Sequence, residues 1–145
     1  MLKRAGMADH GRKQCTVLIA EDEESLKMLA TLTIKAQGFE VLAASTAEEA
    51  LQYWEEHAEE IVLLFTDIVM PGEKTGFDVA RQIRARSSSL PVIFSSGHNG
   101  ALANNIAELQ KGVCYLPKPY RQMELGALVS TIIQSSRARQ ESAAA

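Results

Sequence analysis

Five polar side chains that follow apolar runs in the sequence have types suited to phosphoryl chemistry. They are Glu21, Asp22, Asp67, Ser96 and Lys118. Three carboxylates brought together repel one another, so they either share protons or recruit a cation. Oxygen ligands open to water suit Mg²⁺, which prefers sites shared with phosphate oxygens. A carboxylate can also form an aspartyl phosphate, whose oxygens an ammonium and a hydroxyl can bind, so the set is typical of a phosphorylated aspartate with Mg²⁺.

The apolar runs before these residues predict strands that are buried on both faces. Thr16–Ala20 and residues 61–65 show no alternation of apolar and polar types, as expected in a parallel sheet. Shorter runs at Glu40–Ala44, 91–94 and 113–116 predict three further strands. Ligands of such sheets bind beyond the carboxyl ends of the strands, which is where the five polar side chains are expected.

Apolar residues at helical spacing predict five helices between and after the strands. Thr46 and Glu49 match a capping box at the start of the second helix, and Gly38 is placed to end the first. The apolar sets are Leu26, Leu29, Ala30 and Thr33; Ala47, Ala50, Leu51 and Trp54; Val79, Ala80 and Ile83; Leu102, Ile106 and Leu109; and Leu125, Leu128, Val129 and Ile132. Strands alternating with helices predict a doubly wound α/β fold with a five-stranded parallel sheet.

Composition and charge narrow the class of protein. The chain has 145 residues, which suits one domain, and its net charge of −3 argues against nucleic-acid or anionic-membrane binding through bulk charge. No apolar run is long enough to span a membrane. Cys15 and Cys114 fit neither a disulfide framework nor a metal pattern, so we expect two buried thiols in a reducing cytosol. We predict a flexible extension at 1–14, one domain at 15–135 and a disordered tail at 136–145.

Four motifs in order resemble the receiver domain of two-component response regulators, over residues 16–133. They are the acidic pair at 21–22, DIVMP at 67–71, SSG at 95–97 and YLPKP at 115–119. The resemblance implies a flavodoxin-like sheet with strand order 2-1-3-4-5 and five helices. It also implies a single-domain receiver similar to the chemotaxis regulators, with no effector domain after the last helix.

The resemblance assigns a role to each site residue. Asp67 would be the phosphoacceptor. Mg²⁺ would be bound by Asp22, Asp67 and the Val69 backbone carbonyl, with Glu21 acting through a metal-bound water. The phosphoryl-binding and switch residues would be Ser96, Gly97, Lys118 and Tyr115, and the peptide bond before Pro119 would be cis. Two features depart from the common pattern: the loop at 72–76 is one residue longer, and Val69 and His98 occupy positions that tune dephosphorylation.

The resemblance also implies partners and a location. A sensor histidine kinase or a histidine phosphotransfer protein would supply the phosphoryl group, and the domain would be a signalling phosphoacceptor and not an enzyme. An effector or a second copy would bind the face formed by the fourth helix, fifth strand and fifth helix (101–109, 113–116 and 120–132). The protein would be cytoplasmic, with no nucleic-acid or membrane partner.

Several alternatives remain open at the level of sequence. The domain could be a relay or phosphate-sink receiver excised from a hybrid histidine kinase. A phosphatase of the haloacid-dehalogenase type also uses an Asp nucleophile, but it needs a second Asp where Val69 stands. A flavodoxin-like cofactor binder needs a phosphate loop where the chain is acidic. The acidic run 21–24 alone would also suit a helix N-terminus, and His98 alone reads as a surface histidine.

Overall fold

The computed structural model describes residues 15–97 and 112–144, which form five strands and four helices. They are β1 (Thr16–Ala20), α1 (Glu24–Lys35), β2 (Glu40–Ala44), α2 (Ala47–His57), β3 (Ile61–Asp67), α3 (Gly76–Arg86), β4 (Val92–Ser96), β5 (Val113–Pro117) and α4 (Gln122–Ala144). All five predicted strands are present. The predicted helix bearing Leu102, Ile106 and Leu109, the predicted extension at 1–14, and His98 lie outside the described residues.

The five strands form one parallel sheet in the order β2-β1-β3-β4-β5. This confirms the doubly wound fold and the expected strand order. Because every strand runs the same way, all five carboxyl ends meet at one edge of the sheet. The register pairs Asp67 of β3 with Ser95 of β4, and Ser96 with Pro117 of β5. The predicted site residues therefore belong to one edge.

Within residues 15–97 and 112–144, two helices pack on each face of the sheet. On one face α1 and α4 bury Ile34, Leu125 and Val129 against Phe65 of β3. On the other face α2 and α3 bury apolar side chains against the sheet, among them Trp54. The apolar spacing predicted these faces, because residues three and four positions apart lie on one side of a helix.

The helix starts differ in detail from the sequence prediction. Thr46 Oγ1 accepts a hydrogen bond from Glu49 N at 3.0 Å, as the capping box predicts. The Glu49 carboxylate, however, accepts from Ser45 N at 2.7 Å, one residue before the position that a capping box requires. A complete capping box forms instead at α3, between Thr75 and Asp78. Gly38 has a φ of 98° after α1, which confirms its role in ending that helix.

Three boundaries and the cysteines also differ. β3 extends to Asp67, because Asp67 pairs with Ser95 of β4. β4 extends to Ser96, because Ser96 pairs with Pro117 of β5. The last helix continues to Ala144, past the expected start of a tail; Ser136 is buried, and the Arg137 guanidinium contacts Cys15 Sγ. Cys15 and Cys114 are free thiols and are half-buried, less than expected. Within the described ranges, no helix has the length and apolar character to cross a membrane.

Gly76, the first residue of α3, packs directly against the backbone at the end of β3. Gly76 N donates to Ile68 O at 2.8 Å. A Cβ at Gly76 would lie 2.0 Å from Asp67 O and 3.0 Å from Ile68 Cα, both of them backbone atoms. A larger residue must therefore displace the backbone that carries Asp67.

We predict that Gly76→Ala lowers the free energy of unfolding by roughly 1–3 kcal/mol, because the added methyl group overpacks the backbone. Urea denaturation followed by circular dichroism measures this. Gly97→Ala is the matched control, since a Cβ there meets no atom of the described residues within 4 Å. Equal stabilities of the two variants would contradict the prediction.

Candidate functional site

Three carboxylates meet at the carboxyl edge of the sheet. One oxygen from each of Glu21, Asp22 and Asp67 lies within 4.8 Å of the others. Glu21 directly follows β1 and is buried, Asp67 ends β3 and is buried, and Asp22 is exposed. The structure thus brings together the three acidic residues that the sequence singled out.

Lys118 connects the two buried carboxylates. Its Nζ lies 2.9 Å from Glu21 Oε1 and 3.1 Å from Asp67 Oδ2, and its side chain is only 17% exposed. The ammonium reaches this position because Lys118 directly follows β5, on the same edge as β1 and β3. Three carboxylates against one ammonium leave an excess of two negative charges at the site.

The pKa values reflect this balance of burial and charge. Burial raises the pKa of Glu21, and the hydrogen bonds from Lys118 and from Glu23 N only partly offset that effect. Burial alone would lower the pKa of Lys118, but Glu21 and Asp67 outweigh it and raise that pKa. Lys118 is therefore a firmly held cation, whereas the ionised form of Glu21 is costly.

Glu21 has a second function at the start of α1. Its Oε2 accepts from Glu23 N at 3.0 Å, and Glu24 stands in the first turn of that helix. The interpretation of the acidic run as a helix N-terminus is thus correct as well, because one carboxylate serves both the helix and the cluster. The sequence did not indicate that Glu21 would be buried.

The donor set fits a magnesium ion. Octahedral Mg²⁺ has oxygen ligands at about 2.1 Å, so neighbouring ligands lie about 3.0 Å apart and opposite ligands about 4.2 Å apart. The acidic oxygens lie within 4.8 Å of one another, so they can reach one ion by moving closer together or by binding through a water. The excess of two negative charges matches one divalent cation. Val69 N lies 3.4 Å from Asp67 Oδ1, which places the Val69 backbone beside the cluster.

Ser96 joins β4 to two other predicted site residues through its backbone. The Ser96 carbonyl accepts from Lys118 N at 3.0 Å and from the Tyr115 hydroxyl at 3.0 Å. Ser96 is buried and Gly97 beside it is exposed. The Lys118–Pro119 peptide bond is cis, as the resemblance implied.

Two residues near the cluster were not singled out individually by the sequence analysis. Ser95 is the register partner of Asp67, and Tyr120 follows the motif that contains Lys118. Desolvation raises the pKa of Tyr120 to about 12, and the Glu21 carboxylate adds to this effect. A polar aromatic residue directly after the Lys-Pro motif was the available signal for Tyr120.

Comparisons with known proteins agree with this geometry. The family model described as response regulator receiver domain matches residues 17–130. The chain is 36% identical over 120 residues to sensory transduction protein RegX3 of Mycolicibacterium smegmatis, covering 82% of this chain and 50% of that protein. It is 32% identical over 121 residues to sensor kinase CckA of Brucella abortus, covering 82% of this chain and 12% of that protein.

A solved structure agrees as well. The receiver domain from hybrid histidine kinase CckA superposes with a TM-score of 0.69 at 34% identity, covering 81% of this chain and 98% of that one. The chain therefore spans half or less of the two curated relatives, but nearly all of a solved receiver domain. The family match, the parallel sheet and the acidic edge together show that this chain belongs to the response regulator receiver domain family.

Proposed function

We propose that the domain accepts a phosphoryl group on Asp67 from a phosphohistidine of a sensor histidine kinase or a histidine phosphotransfer protein. The observation that carries this proposal is the Lys118 ammonium between Glu21 and Asp67, beside the exposed Asp22. The domain acts as a signalling phosphoacceptor and not as an enzyme with a separate substrate. The phosphoryl group on such a histidine comes from ATP, so we propose that the reaction takes place in the cytoplasm.

In the proposed transfer a carboxylate oxygen of Asp67 attacks the phosphorus. A P–O bond forms and the P–N bond breaks, while the histidine nitrogen keeps the bonding electron pair and takes up a proton. Lys118 holds Asp67 through Oδ2, which orients the carboxylate for attack. Phosphoryl oxygens then offer Lys118 a stronger charged partner.

Asp22, Asp67 and the Val69 carbonyl would hold Mg²⁺, with Glu21 acting through a bound water. When bound, the ion supplies positive charge that neutralises the phosphoryl oxygens as the bonds change. The exposed Asp22 leaves one side of the cluster open, so the donor phosphoryl group enters from solvent.

We propose that Ser96 and Tyr115 report the phosphorylated state together. The Ser96 hydroxyl binds a phosphoryl oxygen, and the Ser96 carbonyl carries the hydrogen bond from Tyr115. A shift of Ser96 toward Asp67 therefore changes the position of Tyr115. The surface that changes includes β5 and α4, where an effector or a second copy would bind.

We expect Asp67→Asn to abolish phosphorylation by acetyl phosphate and Mg²⁺, because an amide is not a comparable nucleophile. The measurement is incorporation of a hydroxylamine-labile phosphoryl group. Glu73→Gln is the matched control, since Glu73 is an exposed acid in the loop before α3. A label that persists in Asp67→Asn would overturn the assignment.

Asp22→Asn should weaken magnesium binding and stabilise the metal-free protein, because one of three repelling carboxylates loses its charge. At ten times its Kd, Mg²⁺ stabilises the wild type by about 1.4 kcal/mol, and the variant should gain less. Melting temperatures with and without Mg²⁺ test this. Glu40→Gln, at the opposite end of the sheet, should respond as the wild type does. Equal gains in Asp22→Asn and the wild type would place the metal elsewhere.

Ser96→Ala and Tyr115→Phe should not have additive effects, because in the proposed switch the Ser96 hydroxyl moves the Ser96 carbonyl to which the Tyr115 hydroxyl donates. We expect a coupling of at least ~0.5 kcal/mol in the affinity for beryllofluoride, an analogue of the phosphoryl group. Calorimetric titration of the wild type, both single variants and the double variant measures it. Strict additivity would contradict the coupled switch.

A further inference from the structure

Two buried hydroxyl groups have no hydrogen-bond partner in the part of the chain that the structure describes. They are Ser95 Oγ and Tyr120 Oη. A buried hydroxyl without a partner is unfavourable, since it loses its hydrogen bonds to water and gains none. The Tyr120 hydroxyl is relevant to the site, because its ring packs on the face of the sheet that carries Asp67.

Tyr120 packs on the same face of the sheet as Phe65 and Asp67. Its ring meets the ring of Phe65 edge-on, with the centroids 5.9 Å apart. Phe65 and Asp67 are two positions apart on β3, so their side chains point to the same face of the sheet. The Tyr120 ring therefore packs on the face of the sheet that carries Asp67.

Glu21 is the acceptor that would need a new donor if Lys118 moved away. It is buried, its Oε2 already accepts from Glu23 N, and its Oε1 depends on Lys118. Among the charged groups, Glu21 acts most strongly on the Tyr120 phenol after desolvation, and that phenol keeps its proton far above neutral pH. The Tyr120 hydroxyl is therefore a donor that keeps its proton, feels the charge of Glu21 and lies on the face of the sheet that carries Asp67.

We propose that Tyr120 is a positioning residue. Its hydroxyl donates a hydrogen bond to Glu21 when the Lys118 ammonium leaves Glu21 to bind the phosphoryl group on Asp67. This inference rests on the proposed function. In the unphosphorylated domain Lys118 serves both buried carboxylates, and Tyr120 Oη has no partner among the described residues. After phosphorylation, the Tyr120 hydroxyl donates to Glu21 and replaces the hydrogen bond that this buried carboxylate loses when Lys118 moves away. Tyr120 therefore stabilises the phosphorylated state selectively.

A purely structural Tyr120 gives a different result. Phenylalanine keeps the ring and its contact with Phe65 and removes only the hydroxyl. Tyr120→Phe should therefore leave the melting temperature of the unliganded domain unchanged or raise it, because an unpartnered hydroxyl is lost. The same change should weaken beryllofluoride binding in Mg²⁺ about tenfold, the loss of one hydrogen bond to a charged group.

The experiment compares wild type, Tyr120→Phe and Tyr53→Phe by thermal unfolding and by calorimetric titration with beryllofluoride and Mg²⁺. Tyr53 is half-buried against the apolar core on the opposite face of the sheet and serves as the matched control. An unchanged or higher melting temperature together with weaker binding, seen only in Tyr120→Phe, supports the proposal. Wild-type affinity in Tyr120→Phe overturns it, as does a loss of unliganded stability that accounts for the weaker binding. A wild type that binds no beryllofluoride overturns the proposed function as well.

Discussion

The site depends on one ammonium group held between two buried carboxylates. Lys118 is within 3.1 Å of Asp67 and 2.9 Å of Glu21, and neither carboxylate is open to water to any large extent. Removal of the cation would leave two buried like charges facing each other, which is strongly unfavourable. The ends of three strands must therefore stay in register, because β1, β3 and β5 each supply one of the three groups.

The backbone around the site preserves that register. Ser96 O accepts from Lys118 N, and Ser95 O accepts from Ile68 N, so β4 binds the segments that follow both of its neighbours. Gly76 N then donates to Ile68 O and brings α3 against the same segment. The chain positions its charged groups through main-chain hydrogen bonds, which depend little on side-chain identity.

The sequence predicted the architecture well because apolar patterning is a local signal. Five strands follow directly from it, among them the buried β1 and β3, and parallel strands place Asp67 and Lys118 at one edge. Apolar patterning does not predict how deeply a polar side chain is buried. Glu21 was expected on an open rim and is buried, because it also serves the start of α1 through Glu23 N. The burial of the Tyr120 hydroxyl depends on its contact with Phe65, which is distant in the sequence, and no local pattern indicates such a contact.

The charge balance explains why the arrangement suits a switch. Three carboxylates and one ammonium leave an excess of negative charge that a divalent cation can neutralise. A phosphoryl group on Asp67 adds further negative charge and several acceptor oxygens. Lys118 then has more acceptors than it can serve, so the partners of Glu21 and Asp67 must be redistributed. Because Lys118 N and the Tyr115 hydroxyl share the Ser96 carbonyl, that redistribution reaches the backbone of β4 directly. In the proposed phosphorylated state, a change in charge at the edge of the sheet would thus become a change in packing between β4 and β5.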